Sequence, residues 1–289
     1  MQSYVLVVGE SLIDVVTTAD GSSVERPGGS AANVAVALAR LGRAVRFATA
    51  YADDPRGRLV AEHLAGSGVE AASDPHVLER TSSAVATIGA DGAASYDFDL
   101  EWRLGPVDLS TRPTFVHVCS LGAVVEPGCG DVLALLDRLP AARITYDVNA
   151  RPAITGTGPE VVARVEAVVR RAEVVKASDE DLAALYPDHD VVGAARHLLS
   201  LGPAAVVVTR GGEGSTWYDA DGAVSAPVQA ATVVDTIGAG DTFSAGIIDA
   251  LWDGADPAST LAHAARAAAV TVSRPGADPP TRAELVTER

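Results

Sequence analysis

The chain has 289 residues, and 22 lysines and arginines against 38 aspartates and glutamates give a formal net charge of −16. Such an excess of negative charge repels phosphate backbones and anionic lipids, which excludes nucleic-acid binding and membrane-surface binding. Lys176 is the only lysine and no glycine-rich loop precedes it, so the sequence has no P-loop. Two cysteines and the lack of any apolar run of about 18 residues predict a cytoplasmic protein without a membrane span.

Apolar runs recur along the chain and predict strands that are buried on both faces of a parallel sheet. We place these strands at residues 4–8, Ala44–Thr49, Phe115–Cys119, Arg143–Asp147, Ala172–Lys176 and Ala205–Thr209. Helix-like segments lie between them at Ser30–Leu41, Arg56–Gly66, Asp131–Leu139, Pro159–Arg171 and Val191–Leu201. This alternation predicts a single α/β domain over residues 1–289, with a doubly wound and mostly parallel sheet. Ligands of such sheets bind beyond the carboxyl ends of the strands.

Two polar segments interrupt this alternation, at about residues 17–27 and 81–103. Both show β-type alternation, and Asp91-Gly92 in the second is a turn signal. They predict a small antiparallel sheet that stands apart from the main sheet as an inserted lid. An ordinary surface hairpin is the alternative.

The segment around the first predicted helix has the residues of a polyol-binding site. Gly28 and Gly29 allow the backbone to approach a ligand closely, and Asn33, one turn into the helix, can both donate and accept hydrogen bonds. Asp14, just past the first strand, can accept two more bonds from hydroxyl groups. Each feature is weak alone, since Gly-Gly is common in turns and Asp is common in caps.

The strongest local pattern lies between residues 234 and 246, where a turn of small residues leads into the apolar helix Phe243–Trp252. The backbone N–H groups of Gly238, Ala239 and Gly240 can close around an anion at the helix N-terminus. Asp241 would repel that anion unless it faces the other reactant, which makes it a candidate general base for a hydroxyl group. Beside helix N–H groups its pKa is expected to be low. The alternative is a helix-capping Asp without catalytic function.

The Gly-Gly-Ser-Ala-Ala-Asn and Asp-Thr-Ile-Gly-Ala-Gly-Asp-Thr-Phe-Ser-Ala-Gly segments together resemble the two signatures of the ribokinase-like (phosphofructokinase B) family of carbohydrate kinases. The resemblance extends over essentially the whole chain and implies a three-layer α/β/α fold that uses ATP and Mg²⁺, and in many members K⁺. It implies that Asp241 is the catalytic base and that Gly238, Ala239 and Gly240 form the anion hole.

The same resemblance implies the roles of further residues. The sugar-binding positions would be Asp14, Gly28, Gly29, Asn33 and Arg151, the last within the Asp-x-Asn-x-Arg element that begins at Asp147. The nucleotide-binding positions would be Lys176, Ser178, Thr209, Arg210, Gly211 and Gly214. Asp181 would hold Mg²⁺ through water, and Asp235, Ile237, Arg274 and Gly276 would form a monovalent-cation loop.

Two departures from the family pattern bear on the substrates. Ser178-Asp-Glu-Asp181 replaces the Asn-x-x-Glu that is common near the magnesium site, in a form similar to that of fructokinases. Around Ala265, where a polar residue often meets adenine, the chain is nearly all alanine, so the identity of the nucleotide stays open.

The lid segment Thr81–Trp102 has no Lys or Arg, which favours a neutral sugar, and fructose is the best candidate. Ribose and 2-keto-3-deoxygluconate remain open, the second because Arg26, Arg103 or Arg151 could reach a carboxylate. A sugar-binding sensor without catalysis is the non-enzyme alternative. Family members often dimerise through the lid, and a homodimer of that kind is expected here.

Overall fold

The computed structural model describes residues 3–17, 22–88 and 94–287. The predicted turn at Asp91-Gly92 lies outside these ranges. The thirteen strands in the described part of the chain are β1 Val5–Val8, β2 Leu12–Thr17, β3 Ser23–Gly28, β4 Val45–Ala48, β5 Glu70–Ala71, β6 Ser83–Ile88, β7 Ala94–Asp99, β8 Phe115–Cys119, β9 Arg143–Asp147, β10 Val174–Ser178, β11 Ala205–Thr209, β12 Ser215–Asp219 and β13 Gly222–Ala226.

The main sheet has nine strands in the order β13-β12-β11-β10-β9-β8-β1-β4-β5. Its pairs are parallel from β5 to β11, and β12 and β13 add an antiparallel hairpin at one edge. The six predicted apolar strands all lie in this sheet, and the prediction of a mostly parallel α/β fold is confirmed. Strand β1 is fully buried because helices cover both faces of the sheet.

Ten helices connect these strands within the described ranges. They are α1 Ser30–Arg40, α2 Pro55–Gly66, α3 Gly128–Asp137, α4 Pro152–Thr155, α5 Pro159–Val169, α6 Asp179–Leu185, α7 Val191–Ser200, α8 Ala239–Trp252, α9 Pro257–Val272 and α10 Arg282–Thr287. Helices α1, α8 and α9 pack in one hydrophobic core, and α3, α5 and α7 pack in a second core on the opposite face. The result is a three-layer α/β/α body. None of the described helices is long and apolar enough to cross a membrane.

A separate four-stranded sheet, in the order β3-β2-β6-β7, corresponds to the predicted lid. The β2–β3 and β6–β7 pairs are antiparallel, whereas β2 and β6 run parallel to each other. The sheet begins at Leu12, earlier than the predicted boundary at residue 17. Asp14 therefore lies on a lid strand, paired with Arg26, and not in a loop that follows the first core strand.

Candidate active site

Asp241 lies in the first turn of α8 and is the centre of a polar cluster between the body and the lid. Its side chain is buried, with 7% of the residue exposed. Ser30 Oγ donates a hydrogen bond of 2.7 Å to Oδ1, and Asn33 Nδ2 donates one of 2.8 Å to Oδ2. Both donors come from the first turn of α1, 208 or more residues away in sequence. The fold thus brings the two sequence signatures into direct contact.

Burial raises the pKa of Asp241 above its ordinary value of 3.8, although the hydrogen bonds from Asn33 and Ser30 act in the opposite direction. The expectation of a low pKa was therefore wrong. It took account of the helix N–H groups alone and omitted both desolvation and the nearby negative charge of Asp147. A carboxylate with a raised pKa is a stronger proton acceptor, which suits a general base better than the expected value did.

The turn before α8, where the sequence predicts an anion hole, has a backbone conformation that favours glycine. Gly238 precedes the helix with φ 75° and ψ 0°, a left-handed conformation that favours glycine. A Cβ on Gly238 would lie only 2.6 Å from the Cβ of Ala277, so the turn is also packed too tightly for a side chain. Gly240 and Ala239 form the beginning of the helix, where backbone N–H groups lack partners within the helix.

The single lysine lies directly behind this turn. A Cβ on Gly240 would be 3.2 Å from Lys176 Nζ, so the ammonium group is a neighbour of the proposed anion hole. Lys176 is buried and forms an ion pair of 2.9 Å with Asp147 Oδ2, which also accepts a bond of 2.7 Å from Ser244 Oγ. Burial alone would lower the pKa of Lys176. The nearby charges of Asp147 and Asp181 raise this pKa above its ordinary value, so the lysine is cationic.

Asp14 approaches the cluster from lid strand β2. A Cβ on Gly28 would overlap the Asp14 carboxylate, so this carboxylate can lie where it does only because position 28 is glycine. Burial raises the pKa of Asp14 to about 6, opposed by the charge of Arg151 and reinforced by that of Asp241. The fold brings Asp14, Gly28, Asn33 and Asp241 together. Arg151 is exposed and donates to Asn149 Oδ1 at 2.6 Å.

The predicted nucleotide-binding residues lie at the carboxyl ends of two neighbouring strands. Ser178 at the end of β10 is paired with Thr209 at the end of β11, and the turn that follows contains Gly211 with φ 46°. Arg210 donates to Thr216 Oγ1 at 2.8 Å and to the Tyr218 hydroxyl at 3.0 Å. Its guanidinium group is therefore held against β12. Gly214 closes the turn with φ 92°, where a Cβ would overlap the carbonyl oxygen of Ala226.

Asp181 joins the start of α6 to the loop after β9. Its Oδ2 accepts from the Ser178 backbone N–H, and the Ser178 hydroxyl accepts in return from the Asp181 N–H, in a capping box at the start of α6. Its Oδ1 accepts from the Ala150 N–H at 2.8 Å. In the described part of the chain, no three His, Cys, Asp or Glu side chains are grouped so that they could hold a metal ion.

The loop before α8 and the loop after α9 are tied together by Asp235. Its carboxylate accepts from the N–H of Ile237 at 3.0 Å and from the N–H of Gly276 at 2.8 Å. These two hydrogen bonds lower the pKa of Asp235, so the group is ionised at neutral pH. The Arg274 side chain turns away to Asp278 and Glu284. The fold thus brings Asp235, Ile237 and Gly276 together and directs the Arg274 guanidinium elsewhere.

Reasoning from the sequence missed Glu10, which lies in the middle of the site with 6% of the residue exposed. Its carboxylate accepts from the backbone N–H groups of Ser30 and Gly122. Burial raises the pKa of Glu10 to about 7. The available signal was an acidic residue directly after the first apolar strand and its terminal glycine, the position where a doubly wound sheet places ligand-binding groups.

Three comparisons with known proteins show the family and the fold of the chain. The model of the pfkB family of carbohydrate kinases matches residues 2–284. The chain is 36% identical over 263 residues to a fructokinase of Rhizobium leguminosarum bv. trifolii, which covers 86% of this chain and 79% of the relative.

Two solved structures have the same architecture. The crystal structure of a Xylella fastidiosa fructokinase with bound ATP has a TM-score of 0.85 and 27% identity, and the match covers 99% of this chain and 98% of that one. A fructokinase double mutant from Vibrio cholerae O395, in a form with fructose, ADP and potassium ion bound, has a TM-score of 0.81 and 25% identity, covering 99% and 97%.

Proposed function

The chain belongs to the pfkB family of carbohydrate kinases, and from this premise we propose that it is a fructokinase that transfers the γ-phosphate of ATP to a primary hydroxyl group of fructose. The observation that carries the proposal is the position of Asp241. A buried carboxylate with a raised pKa lies at the helix N-terminus, directly after the glycine turn that can hold a phosphate. One helix end thus presents a proton acceptor and an anion site together.

In the proposed reaction, Asp241 accepts the proton of the sugar hydroxyl as that oxygen attacks the γ-phosphorus. Ser30 and Asn33 each bind one carboxylate oxygen, which fixes the direction of the remaining lone pairs. The N–H groups of residues 238–240 would stabilise negative charge on the transferring phosphoryl group. The Lys176 ammonium behind Gly240 would add positive charge on the same side.

The sugar would lie between this helix end and the lid. Asp14 would accept hydrogen bonds from sugar hydroxyl groups, and Gly28 and Gly29 would let the backbone approach the ring. Asn33 donates its amide N–H to Asp241, which leaves its Oδ1 to accept from a hydroxyl group. Arg151 at the rim would face the substrate or the transferring phosphate.

ATP would bind along the carboxyl ends of β10 and β11, beside Ser178, Thr209, Gly211 and Gly214, with Arg210 at the edge. Mg²⁺ is commonly bound by substrate phosphates with one or two carboxylates and water, without a complete protein cage. Asp181 fits that pattern, because each of its oxygens accepts one backbone N–H and retains a further lone pair for a metal-bound water. Bound Mg²⁺ would neutralise the phosphate charge.

A monovalent cation such as K⁺ would fit the loop formed by residues 235–237 and 274–276. Backbone carbonyl groups such as that of Ile237 are oxygen donors that K⁺ takes, and the ionised Asp235 carboxylate would add negative charge beside them. Arg274 would contribute its backbone only, because its guanidinium binds Asp278 and Glu284. An ion there would stabilise the turn that carries the anion hole.

The charges around the lid support a neutral sugar. Arg56 pairs with Glu25 at 2.6 Å, and Arg103 pairs with Glu101 at 2.6 Å, so neither guanidinium is unpaired. Arg26 and Arg151 remain the cations that a sugar carboxylate could use. An acidic sugar would also meet the negative charges of Asp14 and Asp241, which oppose its binding.

A panel of sugars tests the proposal. Fructose, ribose and 2-keto-3-deoxygluconate are each supplied with ATP and Mg²⁺, and ADP release and the phosphorylated product are both measured. We expect the highest kcat/KM for fructose. Turnover of the sugar acid without turnover of fructose or ribose would overturn the neutral-sugar assignment, and sugar binding without any ADP release would instead favour the non-catalytic sensor.

We also propose that a second copy of the chain covers the lid sheet. Val16 and Val24 are 42% and 53% exposed, and their register pairs them on the same face as Ala86. Such an apolar face is commonly covered by a partner. Sedimentation at working concentration should give a dimer, and Val24→Asp should give a monomer. A wild-type monomer would contradict this assembly.

A further inference from the structure

We propose that Glu10 is a positioning residue that sets the orientation of Asp241 through Ser30, and this inference rests on the proposed role of Asp241 as general base. The Glu10 carboxylate joins two segments that are distant in sequence. Oε1 accepts from the Ser30 N–H at 3.2 Å, at the first residue of α1. Oε2 accepts from the Gly122 N–H at 3.0 Å, in the 3-10 turn Ser120–Ala123.

Two chains of hydrogen bonds connect the segments around Ser30 and Gly122 to the Asp241 carboxylate. The direct route is Ser30, whose hydroxyl donates to Asp241 Oδ1. The second route starts in the 3-10 turn, where Ser120 Oγ donates to the Asn149 carbonyl at 3.1 Å, and Asn149 Nδ2 donates to Ser30 Oγ at 2.8 Å. The two routes form a closed ring that contains Glu10 and ends on the same serine hydroxyl.

The ring holds backbone in an unfavourable conformation, which indicates a function beyond packing. Ser120 has φ 48° and Asn149 has φ 36°, and they are the non-glycine residues with positive φ in the described part of the chain. Such conformations cost free energy and persist where surrounding contacts impose them. The packing is tight as well, since a Cβ on Gly122 would lie 2.7 Å from the Gly9 Cα. The Glu10 carboxylate is thus held in one place.

Only an ionised carboxylate satisfies both N–H groups at once. A glutamine would accept with one oxygen and place its amide N–H₂ against the other donor, and a protonated carboxyl would do the same with its O–H. The charged groups that face Glu10 are Arg151, from the loop after β9, and Asp241, from α8, and the Cys119 thiol lies near it at the end of β8. With a pKa of about 7, Glu10 gains and loses this ability near neutral pH.

The test compares wild type, Glu10→Gln, Ser30→Ala and the double variant, with Asp249→Asn as a control. Asp249 is a buried carboxylate at the far end of α8, away from the cleft. At pH 8 we expect Glu10→Gln to lower kcat about tenfold and to change both KM values less than about twofold. The midpoint of thermal unfolding should stay the same or rise, because the substitution removes a buried charge.

The pH profile and the double variant separate positioning from general damage. The ratio of wild-type kcat to Glu10→Gln kcat should fall towards one below pH 6, because protonated Glu10 also loses one of its two bonds. Because Asp241 interacts electrostatically with Glu10, its titration is measured in both proteins by the NMR signal of its carboxyl carbon, and the ratio is corrected for the difference. The double variant should be no slower than Ser30→Ala. An unchanged kcat at pH 8, or a loss that is independent of pH and adds to that of Ser30→Ala, would overturn the inference.

A readout without turnover distinguishes this inference from the proposed function. In NMR spectra of the wild type, the amide signals of Ser30 and Gly122 should titrate near pH 7, and in Glu10→Gln they should not. The carboxyl-carbon signal of Asp241 at pH 8 should differ between the two proteins. Amide and carboxyl signals that are the same in both proteins would overturn the Glu10 inference. A wild type that phosphorylates no sugar, with these shifts present, would overturn the proposed function alone.

Discussion

The two ends of helix α8 each bury an aspartate, and the two carboxylates have opposite properties. Asp241 at the N-terminal end is 7% exposed and Asp249 two turns later is 1% exposed. Burial raises the pKa of Asp241, whose hydrogen-bond donors, Ser30 and Asn33, are both uncharged. Burial alone would also raise the pKa of Asp249, but His263 and Arg43 lower this pKa below its ordinary value.

The difference shows that burial alone does not make a carboxylate reactive. Asp249 binds Arg43 at 2.5 Å, Arg282 at 2.6 Å and His263 at 2.8 Å, so two guanidinium groups balance its charge and an imidazole ring adds a third contact. Asp241 instead accepts from two neutral donors, and burial together with the charge of Asp147 outweighs the opposite effect of Lys176, so Asp241 keeps an affinity for a proton. In this helix, the choice between cationic and neutral partners separates a structural carboxylate from a candidate general base.

The largest expected effect is that of Asp241→Asn. The amide cannot accept the proton of the sugar hydroxyl, so kcat should fall by about 10²–10⁴ while the sugar affinity is spared. The measurements are ADP release for kcat and calorimetry for sugar binding. Unchanged turnover would remove Asp241 from the reaction.

At the other end of the helix, Asp249→Asn should act on stability and leave catalysis alone. Removing the buried carboxylate takes one partner from Arg43, which keeps Asp253 at 2.6 Å, and one from Arg282, and we expect this to cost about 3 kcal/mol of the free energy of unfolding. Urea unfolding measures this loss, and kcat of the folded fraction should stay within about twofold of wild type. If Asp249→Asn keeps its full stability but loses turnover, the structural role assigned to Asp249 is contradicted.

The titration of buried carboxyl groups, above all Glu10, should make the free energy of unfolding depend on pH. Glu10 has an ordinary pKa of 4.5 when exposed and a pKa of about 7 when folded, so the folded state binds the extra proton between these values. The free energy of unfolding should therefore decrease as pH rises from 4.5 to 7, by about 3 kcal/mol for Glu10. Asp249, with its lowered pKa, stabilises the fold above pH 3.8, and that contribution is lost at more acidic pH.

Urea unfolding of wild type and Glu10→Gln between pH 5 and pH 8 measures this dependence. The variant should show a flatter profile. An equal slope in both proteins would contradict the assignment to Glu10.

A smaller effect is expected where lid strand β2 meets the cleft. Gly28→Ala should displace the Asp14 carboxylate and raise the KM for the sugar about tenfold, with a lesser change in kcat. Gly130→Ala is the matched control, because a Cβ at this position in α3 meets nothing within 4 Å. Equal KM values for the two variants would exclude Asp14 from sugar binding.

Much of this arrangement could be predicted from the sequence. Continuous apolar runs identified the core strands, and the small-residue turn before Phe243 identified the helix end that carries Asp241. The edge hairpin β12–β13 was not predicted, although Asp221-Gly222 is a hairpin signal, because neither of its short strands contains a continuous apolar run. The start of the lid at Leu12 was missed because β2 follows β1 after only three residues.

The properties that could not be predicted depend on distant contacts. The sign of the Asp241 pKa shift depends on burial beneath α1 and on Asp147, neither of which is visible at residues 238–246. The role of Glu10 depends on Gly122, which is 112 residues away in sequence. Local motifs predict where functional groups are placed, whereas their ionisation depends on which segments the fold packs around them.

The single lysine has a practical consequence for chemical labelling. With one ε-amine in the sequence, and that amine buried behind the turn at residues 238–240, common amine-reactive dyes should spare Lys176 in the folded protein. Acylation needs the neutral amine, and the ion pair with Asp147 keeps Lys176 protonated and unreactive in the folded protein. Unfolding in urea separates this pair and exposes the ε-amine, so a single internal lysine label in a mass spectrum would report unfolding around residue 176.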